Sequence, residues 1–544
     1  MSGDRRTGAV RRAVQAGFAT AERAFDRPFG AAANPWRHLG ALGFLLFWIV
    51  AATGVYVYVG YDSRVDGAYA SVAALSSNAF PLGSLARSLH RYASDAFVVV
   101  VLAHLAREWA FERYAHFRRF SWLTGVALLW LAFASGIGGF WLVWDRIAQY
   151  SLIATAEWLD VLPVFNGALV RNFIAADAVS DRLFSLLVFL HIGFPLALLA
   201  LMWIHLQRLA HPRTNPPRAL GWGTAVALAL LSVMRPVASD APADLATAPG
   251  VLALDWFYLG AHAFADVVSP AGLWLAAGAL TLWLLALAWW SGAARRPRPA
   301  AAVVDLANCN GCGRCFADCP YAAVTMTSRT DGKALPRQAT VDPALCAGCG
   351  ICAGACPSSS PFRSVLDLVT GIDLPQAPVH ALRAVLDGAL TRFGTAAPDP
   401  ARPRVVVFAC DPDGDARALM SLADERTAVI GVLCAAQVPP SFVEFALRSH
   451  ADGVLVTGCR TGDCAHRLGD RWTRERMTAT REPHLRPVVP RDRVRLAWAS
   501  RRDAPELAHA LAEFRASLAL ALPAHPTHVP PKRIPGAGTA ARTA

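Results

Sequence analysis

Four histidines stand in two pairs of equal spacing, His90 with His104 and His191 with His205, each 14 residues apart within an apolar stretch. On an α-helix, 14 residues rise ~21 Å and return to within ~40° of four full turns. Each stretch would therefore show two imidazoles on nearly one face, one toward each side of a bilayer. Two such helices side by side make two clamps, His90–His191 and His104–His205, and low-spin haem iron takes two axial ligands of this kind. A lone intramembrane histidine would read instead as a hydrogen-bonded core residue or a proton relay.

The second chemical set is thiol. All twelve cysteines lie between Cys309 and Cys464, eight of them in two tight clusters, so a disulfide scaffold is not expected. The run Cys309-x2-Cys312-x2-Cys315-x3-Cys319-Pro320 repeats as Cys346-x2-Cys349-x2-Cys352-x3-Cys356-Pro357. In such runs the fourth cysteine serves the other cluster. This assigns Cys309, Cys312, Cys315 and Cys356 to one 4Fe–4S cluster, and Cys346, Cys349, Cys352 and Cys319 to a second; two complete copies disfavour zinc. Further on, Cys410, Cys434 and Cys459 each follow an apolar run (Val405–Ala409, Ala428–Leu433, Val454–Thr457) that reads as a buried parallel strand. Ligands gather at the carboxyl ends of strands in open α/β sheets. With Cys464 nearby, four thiolates would suit a 2Fe–2S cluster; spare buried thiols are the other reading.

These residues need scaffolds of two kinds. The chain has 544 residues, more than one domain, and a formal net charge of +12 carried mainly by arginine. The arginines cluster beside apolar runs, which points to membrane orientation and not to nucleic acid. Six spans are predicted: Leu39 to about Tyr61, Ser84 to Arg107 (carrying Arg91 and Asp95), Ser121–Trp144, Leu183–Leu206, about Leu220–Met234, and Pro270–Gly292. Arg107, Arg113, Arg118 and Arg119, then Arg208, Arg213 and Arg218, then Arg295, Arg296 and Arg298 follow the even-numbered spans. Both termini are thus expected in the cytoplasm, with the cysteine-rich half, in a bacterial inner (cytoplasmic) membrane. His90 and His191 then lie at the outer level, His104 and His205 at the inner. The basic N-terminus does not read as a signal peptide. Gly40 and Gly54 on the first span and Gly125 and Gly139 on the third repeat the interval of 14. They would let a backbone approach a macrocycle, or serve helix–helix contact. Arg87, on the same helical side as His90, would pair with a haem propionate or anchor the interface.

Arg-x-x-His at 87–90, the two spacings, the four glycines, Trp144 after Gly139, and His205 followed by His211 and Asn215-Pro216 resemble the cytochrome b family of quinol–cytochrome oxidoreductases. The likeness covers roughly residues 36–290. It implies an outer quinone site at the family's Pro-Glu-Trp-Tyr motif, where this chain has Leu254-Asp255-Trp256-Phe257. Asp255 keeps a carboxylate that would accept a quinol proton; its plainer reading is a solvated loop acid. Arg208 and His211 would serve an inner quinone site or face phospholipid. Neither a Rieske motif nor a Cys-x-x-Cys-His haem attachment is present. Residues 404–482 resemble the delta subunit of methyl-viologen-reducing hydrogenases through Gly458-Cys459-x4-Cys464-Ala465-His466, preceded by Ala451-Asp452-Gly453-Val454. Asp413 stands where that family has a second cysteine. This likeness implies a docking-and-relay domain for a soluble flavoprotein.

The expected architecture is multidomain: an all-α six-span transmembrane dihaem bundle, an α+β ferredoxin-like domain and an α/β parallel-sheet domain. The boundaries are a basic interfacial leader over 1–38, the membrane domain over 39–293 and a linker over 294–302. The two-cluster ferredoxin domain follows over 303–362, a second linker over 363–403, the delta-subunit-like domain over 404–500, and a helix with a disordered tail over 501–544. The expected function is electron transfer between a cytoplasmic flavoprotein or heterodisulfide-reductase-like donor and quinone, through two b-type haems, two 4Fe–4S clusters and a 2Fe–2S cluster. The alternatives are quinol oxidation sending electrons into the cytoplasm, and a transmembrane conduit to an outer-side protein. A homodimer is compatible with the sequence.

Overall fold

The computed structural model describes residues 2–521, except 78–80, 166, 171–178, 249, 296, 364–367, 396, 398, 412–419, 461 and 500–503. The chain divides into two compact units, Met1–Pro299 with Pro320–Ala323 and Ala344–Ala347, and Ala300–Cys319 with Val324–Pro343 and Gly348–Ala544.

The first unit is helical: α1 (Ser2–Ala33), α2 (Leu39–Val59), α3 (Val65–Leu75), α4 (Pro81–Ala110), α5 (Arg119–Trp141), α6 (Arg146–Asp160), α7 (Asp181–Leu206), α8 (Arg218–Met234), α9 (Gly260–Val268) and α10 (Pro270–Trp290). Among the described residues, five helices, α2, α4, α5, α7 and α10, are long and apolar enough to cross a membrane. Val59, Phe189, Trp203 and Leu275 on these helices are exposed, a surface that lipid satisfies and water does not. The chain is a multi-pass membrane protein. The fifth predicted span is the 17-residue α8, ~25 Å long against a hydrocarbon core of ~30 Å.

Helix α2 lies along α4, and α5 along α7. Phe47 of α2, Ala132 of α5 and Leu198 of α7 share one core with Phe97 of α4, which ties the two pairs into a bundle. Pro195 sits inside α7, between its two histidines. The leader is more than an interfacial strip. Glu22 of α1 is buried and pairs with buried Arg107 of α4 at 3.0 Å, and Arg11 reaches Glu112 at 2.6 Å. Two buried charges persist together because each satisfies the other. At the other end of the bundle, α6 starts at Asp145, which caps Ala148 N at 2.9 Å and accepts from Asp240 N at 3.0 Å.

In the second unit, β1 (Val303–Val304) pairs antiparallel with β4 (Ile372–Asp373), and β2 (Val324–Ser328) with β3 (Arg337–Val341). Two short helices, Arg314–Asp318 and Ile351–Ala355, each follow a left-handed glycine, Gly313 (φ 77°) and Gly350 (φ 76°). The repeated cysteine run thus folds twice into the same turn and helix, and only glycine takes that backbone freely. Beyond it, β5 (Val405–Cys410), β6 (Thr427–Val432), β7 (Gly453–Thr457) and β8 (Val494–Ala497) form an all-parallel sheet of order β6-β5-β7-β8. Three strands were expected; β8 is shorter and mixed in polarity, so its pattern carried little signal.

Both faces of this sheet are covered, which is why its central strands β5 and β7 are buried throughout. Val406, Phe408 and Cys410 point into a core with Val379, Leu386, Phe393 and Phe442, while Val405, Val407 and Ala409 face Leu507, Leu511, Phe514 and Leu518. Two boundaries are corrected here. Residues 363–403, read as linker, contain β4 and the helix Val379–Thr395, whose buried Val379, Leu382, Leu386, Leu390 and Phe393 recur at helical spacing. The helix Ala504–Ala521 is not an appendage to a domain ending at 500. Its apolar stripe supplies one whole layer of the sandwich. The tail beyond 521 lies outside the described residues.

Candidate functional site

The four histidines and four glycines fall into register. An ideal Cβ on Gly54 would lie 2.9 Å from His90 Cε1, on Gly139 3.0 Å from His191 Cε1, on Gly125 3.5 Å from His205 Cε1, and on Gly40 3.6 Å from His104 Cε1. Gly40 and Gly54 of α2 back the two histidines of α4, and Gly125 and Gly139 of α5 back those of α7. A methyl group at Gly54 would press into the His90 ring and one at Gly139 would sit in tight contact with His191, so glycine leaves these two rings their room. The rings of His90 and His191 face each other with centroids 6.3 Å apart, close to the ~6 Å expected when one metal lies ~2 Å from a nitrogen of each ring.

The second ring nitrogen is also provided for. His90 Nδ1 lies 2.9 Å from the Val50 carbonyl, His191 Nδ1 3.1 Å from the Ser135 carbonyl, and His205 Nδ1 2.9 Å from Thr124 Oγ1. With the proton on Nδ1 donated to these oxygens, Nε2 presents its lone pair, the orientation a metal-ligating histidine takes. The residues present fit haem. Arg87 is buried, and its guanidinium reaches Ser76 Oγ and, at 2.9 Å, Ser239 Oγ.

Asp255 is not a solvated loop acid. Its side chain is 8% exposed and ion-paired with Arg91, while its other oxygen accepts Phe257 N at 2.8 Å. Arg91 also pairs with Asp95 at 3.2 Å and stacks over Phe140 at 4.3 Å. Beside them, Tyr258 OH donates to the Ser94 carbonyl at 2.8 Å, and its ring lies flush on Gly136. Trp256 and Phe257 remain exposed. Asp95 was noted in the sequence as an ionisable residue within a predicted span but given no role, and Tyr258 was not selected. The available signal was the i,i+4 pair Arg91–Asp95 inside an apolar span, an expensive placement that usually serves a function.

In the second unit, Cys309, Cys312, Cys315 and Cys356 line one cavity with Gly311, Gly313, Met326 and Ile372. Burial and the neighbouring Cys356, Cys312 and Cys309 thiols push the Cys315 thiol up to about 12. Crowded thiols resist ionising until a metal core binds them. The same four residues were assigned to one cluster from spacing.

The strand-end cysteines also converge. Cys410 Sγ and Cys459 Sγ are 3.7 Å apart, and two thiolates on one tetrahedral metal at ~2.3 Å would be about 3.8 Å apart. Gly469 brings the other two together: an ideal Cβ there would overlap Cys434 Sγ and stand 3.3 Å from Cys464 Sγ. Burial, then Cys464 and Cys349, raise the Cys434 thiol; a hydrogen bond with Cys410 raises Cys459. Among the described residues, no three His, Cys, Asp or Glu side chains close around one point tightly enough for a single ion. Asp413 lies outside the described residues. Cys349 and Cys434 share a buried cluster with Ile351, Ala436, Leu468 and Trp472, so the ferredoxin run and the strand-end thiols abut.

Glycine-backed histidines in membrane helices, a thiol-lined cavity and thiols at strand ends define a membrane protein with candidate sites for haem and iron–sulfur groups. More particularly, the chain joins a cytochrome b/b6 domain at its N-terminus to a 4Fe–4S dicluster domain and a hydrogenase delta-subunit domain. Residues 25–212 match the family Cytochrome b/b6/petB, 308–360 the 4Fe-4S dicluster domain, and 405–520 the methyl-viologen-reducing hydrogenase, delta subunit. Cytochrome b of Rhodospirillum rubrum is 25% identical over 184 residues, 34% of this chain and 45% of that protein. Cytochrome b of Wickerhamomyces pijperi is 27% identical over 192 residues, 35% of this chain and 50% of that protein. The chain thus spans about half the length of the curated relatives it matches. A solved chain titled "Hyperthermophilic respiratory Complex III" aligns with TM-score 0.39 and 21% identity, over 46% of this chain and 74% of that one. A cytochrome b domain implies b-type haem, and a 4Fe–4S dicluster domain implies iron–sulfur clusters.

Proposed function

We propose that this protein passes electrons between a cytoplasmic flavoprotein or iron–sulfur partner and the quinone pool of a bacterial inner membrane. His90 with His191 and His104 with His205 would hold two haems in a six-span bundle whose termini are both cytoplasmic, α8 being the short fifth span. Cys309, Cys312, Cys315 and Cys356 would hold one 4Fe–4S cluster, and Cys346, Cys349, Cys352 and Cys319 the second. Cys410, Cys434, Cys459 and Cys464 would hold a 2Fe–2S cluster. These groups supply one-electron redox chemistry; the chain supplies their positions and potentials.

The observation that carries this reading is the shared buried contact of Cys349 and Cys434. Two redox domains that merely coexisted on one polypeptide would have no reason to abut at their ligands. Quinone reduction consumes two electrons and two protons per quinol. At the outer level, Asp255, a buried carboxylate ion-paired with Arg91, would belong to an outer quinone site.

The test is anaerobic. Purified holoprotein, reduced with a viologen and freed of excess reductant, is mixed with a short-chain quinone while the haem absorbance is followed. Haem re-oxidation with stoichiometric quinol is expected. Reduced haem that persists in the presence of ubiquinone and menaquinone analogues alike would overturn the quinone assignment.

A further inference from the structure

Arg476, on the helix Gly469–Met477, is fully buried. Its terminal nitrogens pair with Asp318, donate to the Ala436 carbonyl at 2.7 Å and approach the Ile351 carbonyl at 3.3 Å. Its Nε is buried with no hydrogen-bond acceptor. The three partners are not scattered. Asp318 immediately precedes Cys319, Ile351 lies between Cys349 and Cys352, and Ala436 follows Cys434 by two residues. One guanidinium thus ties together the segments that carry the ligands of two centres, and Cys434 itself lies within its electrostatic reach.

The carboxylates that meet this guanidinium and its neighbours are shared. Asp318 is shared with Arg481 at 2.6 Å, and Glu475 is shared by Arg481 and Arg471, each at 2.7 Å. Arg476 thus shares its carboxylate, and the buried Asp470 in the first turn of the same helix lies beside the Cys464 thiol. An arginine cannot shed its proton to escape burial, and an uncompensated buried cation is costly. An anionic group where the cysteines converge would offset that cost. Iron–sulfur centres held by four thiolates are anionic and gain a further negative charge on reduction. Their potentials follow net charge and hydrogen bonds to sulfur.

We infer that Arg476 is a potential-setting residue shared by two iron–sulfur centres. Its fixed charge raises the reduction potentials of the centre at Cys434 and of the centre at Cys319, Cys349 and Cys352, and its Nε–H is kept for a sulfur acceptor. The inference rests on the cluster reading proposed above. A single cation felt by both centres moves their potentials together, which keeps electron exchange between them close to level.

Redox titration of the full-length holoprotein, monitored by electron paramagnetic resonance, tests this. In Arg476→Gln, with iron and sulfide content intact, the reduced-to-oxidised ratio of both centres at the wild-type midpoint should fall about tenfold, or ~59 mV for a one-electron couple. Arg476→Lys should recover part of the shift. Asp318→Asn, which removes the opposing charge, should shift both centres the other way, and the haem midpoints should stay where they are. Unchanged midpoints in Arg476→Gln, or shifts of the same sign in Arg476→Gln and Asp318→Asn, would overturn the assignment and leave Arg476 a packing residue. Where Arg476→Gln fails to fold, the Lys and Asn variants still decide the sign. A wild-type spectrum with no signal that Cys434→Ser removes would instead overturn the cluster reading itself.

Discussion

The membrane unit and the cysteine-rich unit hold their candidate metal ligands by opposite means. In the first, two helices act as rulers: α4 and α7 each carry two histidines whose separation follows from helical rise. The backing glycines on α2 and α5 keep the same interval, so both levels are defined by one periodicity. In the second, ligands ride on tight turns and strand ends. Cys309, Cys312 and Cys315 come from one short run and Cys356 from the repeat, while Cys410, Cys434 and Cys459 end three different strands. A helix can carry two ligands to opposite sides of a bilayer but cannot wrap a metal core. A turn can wrap the core but spans little distance. Electron transfer across and beside a membrane needs both.

That contrast can be broken most severely at the ligands. Under the two-haem proposal, in which each helix-borne level is an independent bis-histidine site, His191→Leu should remove the outer haem and leave the inner one, lowering haem per protein by about half. Haem extraction and quantitation of the purified variant read this directly; loss of both haems would show that the two levels are not independent.

The glycine cradle should matter nearly as much. Gly139→Leu puts a side chain where even a Cβ approaches the His191 ring to 3.0 Å, whereas a Cβ on Gly193 meets nothing within 4 Å. Outer-haem occupancy should fall severalfold in Gly139→Leu and stay level in Gly193→Ala, again by haem quantitation. Equal occupancy in the two variants would return the glycines to a helix-packing role.

The smallest of the three effects belongs to packing far from any ligand. Leu518 is buried on the outer sheet layer, so Leu518→Ala should destabilise the cysteine-rich unit by about 2–4 kcal/mol. The shift would appear in its thermal unfolding while the haem spectrum is preserved. A transition unmoved by this change would mean that the helix Ala504–Ala521 does not cover the sheet in solution.

Much of the site was legible because it is periodic or locally repeated. Four histidines and four glycines at one interval, and a cysteine run written twice, carry their geometry in their spacing. Asp255 was legible as a residue but not as a state: its burial and its pairing with Arg91 depend on a loop folding back onto α4. The helix Val379–Thr395 was passed over in a stretch read as linker, although its apolar residues recur at helical spacing. The helix Ala504–Ala521 was seen, but a lone amphipathic stripe does not announce what it covers.

By itself, then, the sequence determined the kinds of ligand, their grouping into membrane and cysteine-rich halves, and the spacing of the histidine levels. Those properties follow from helical rise and turn geometry, which act over a few residues. The tertiary structure alone decided that Cys434 lies beside Cys349, that Asp318 meets Arg476, and that Asp255 meets Arg91. Such contacts join residues far apart in the chain. They are set by which apolar faces bury against one another and by where an unsatisfied charge finds its partner, and no local pattern encodes either.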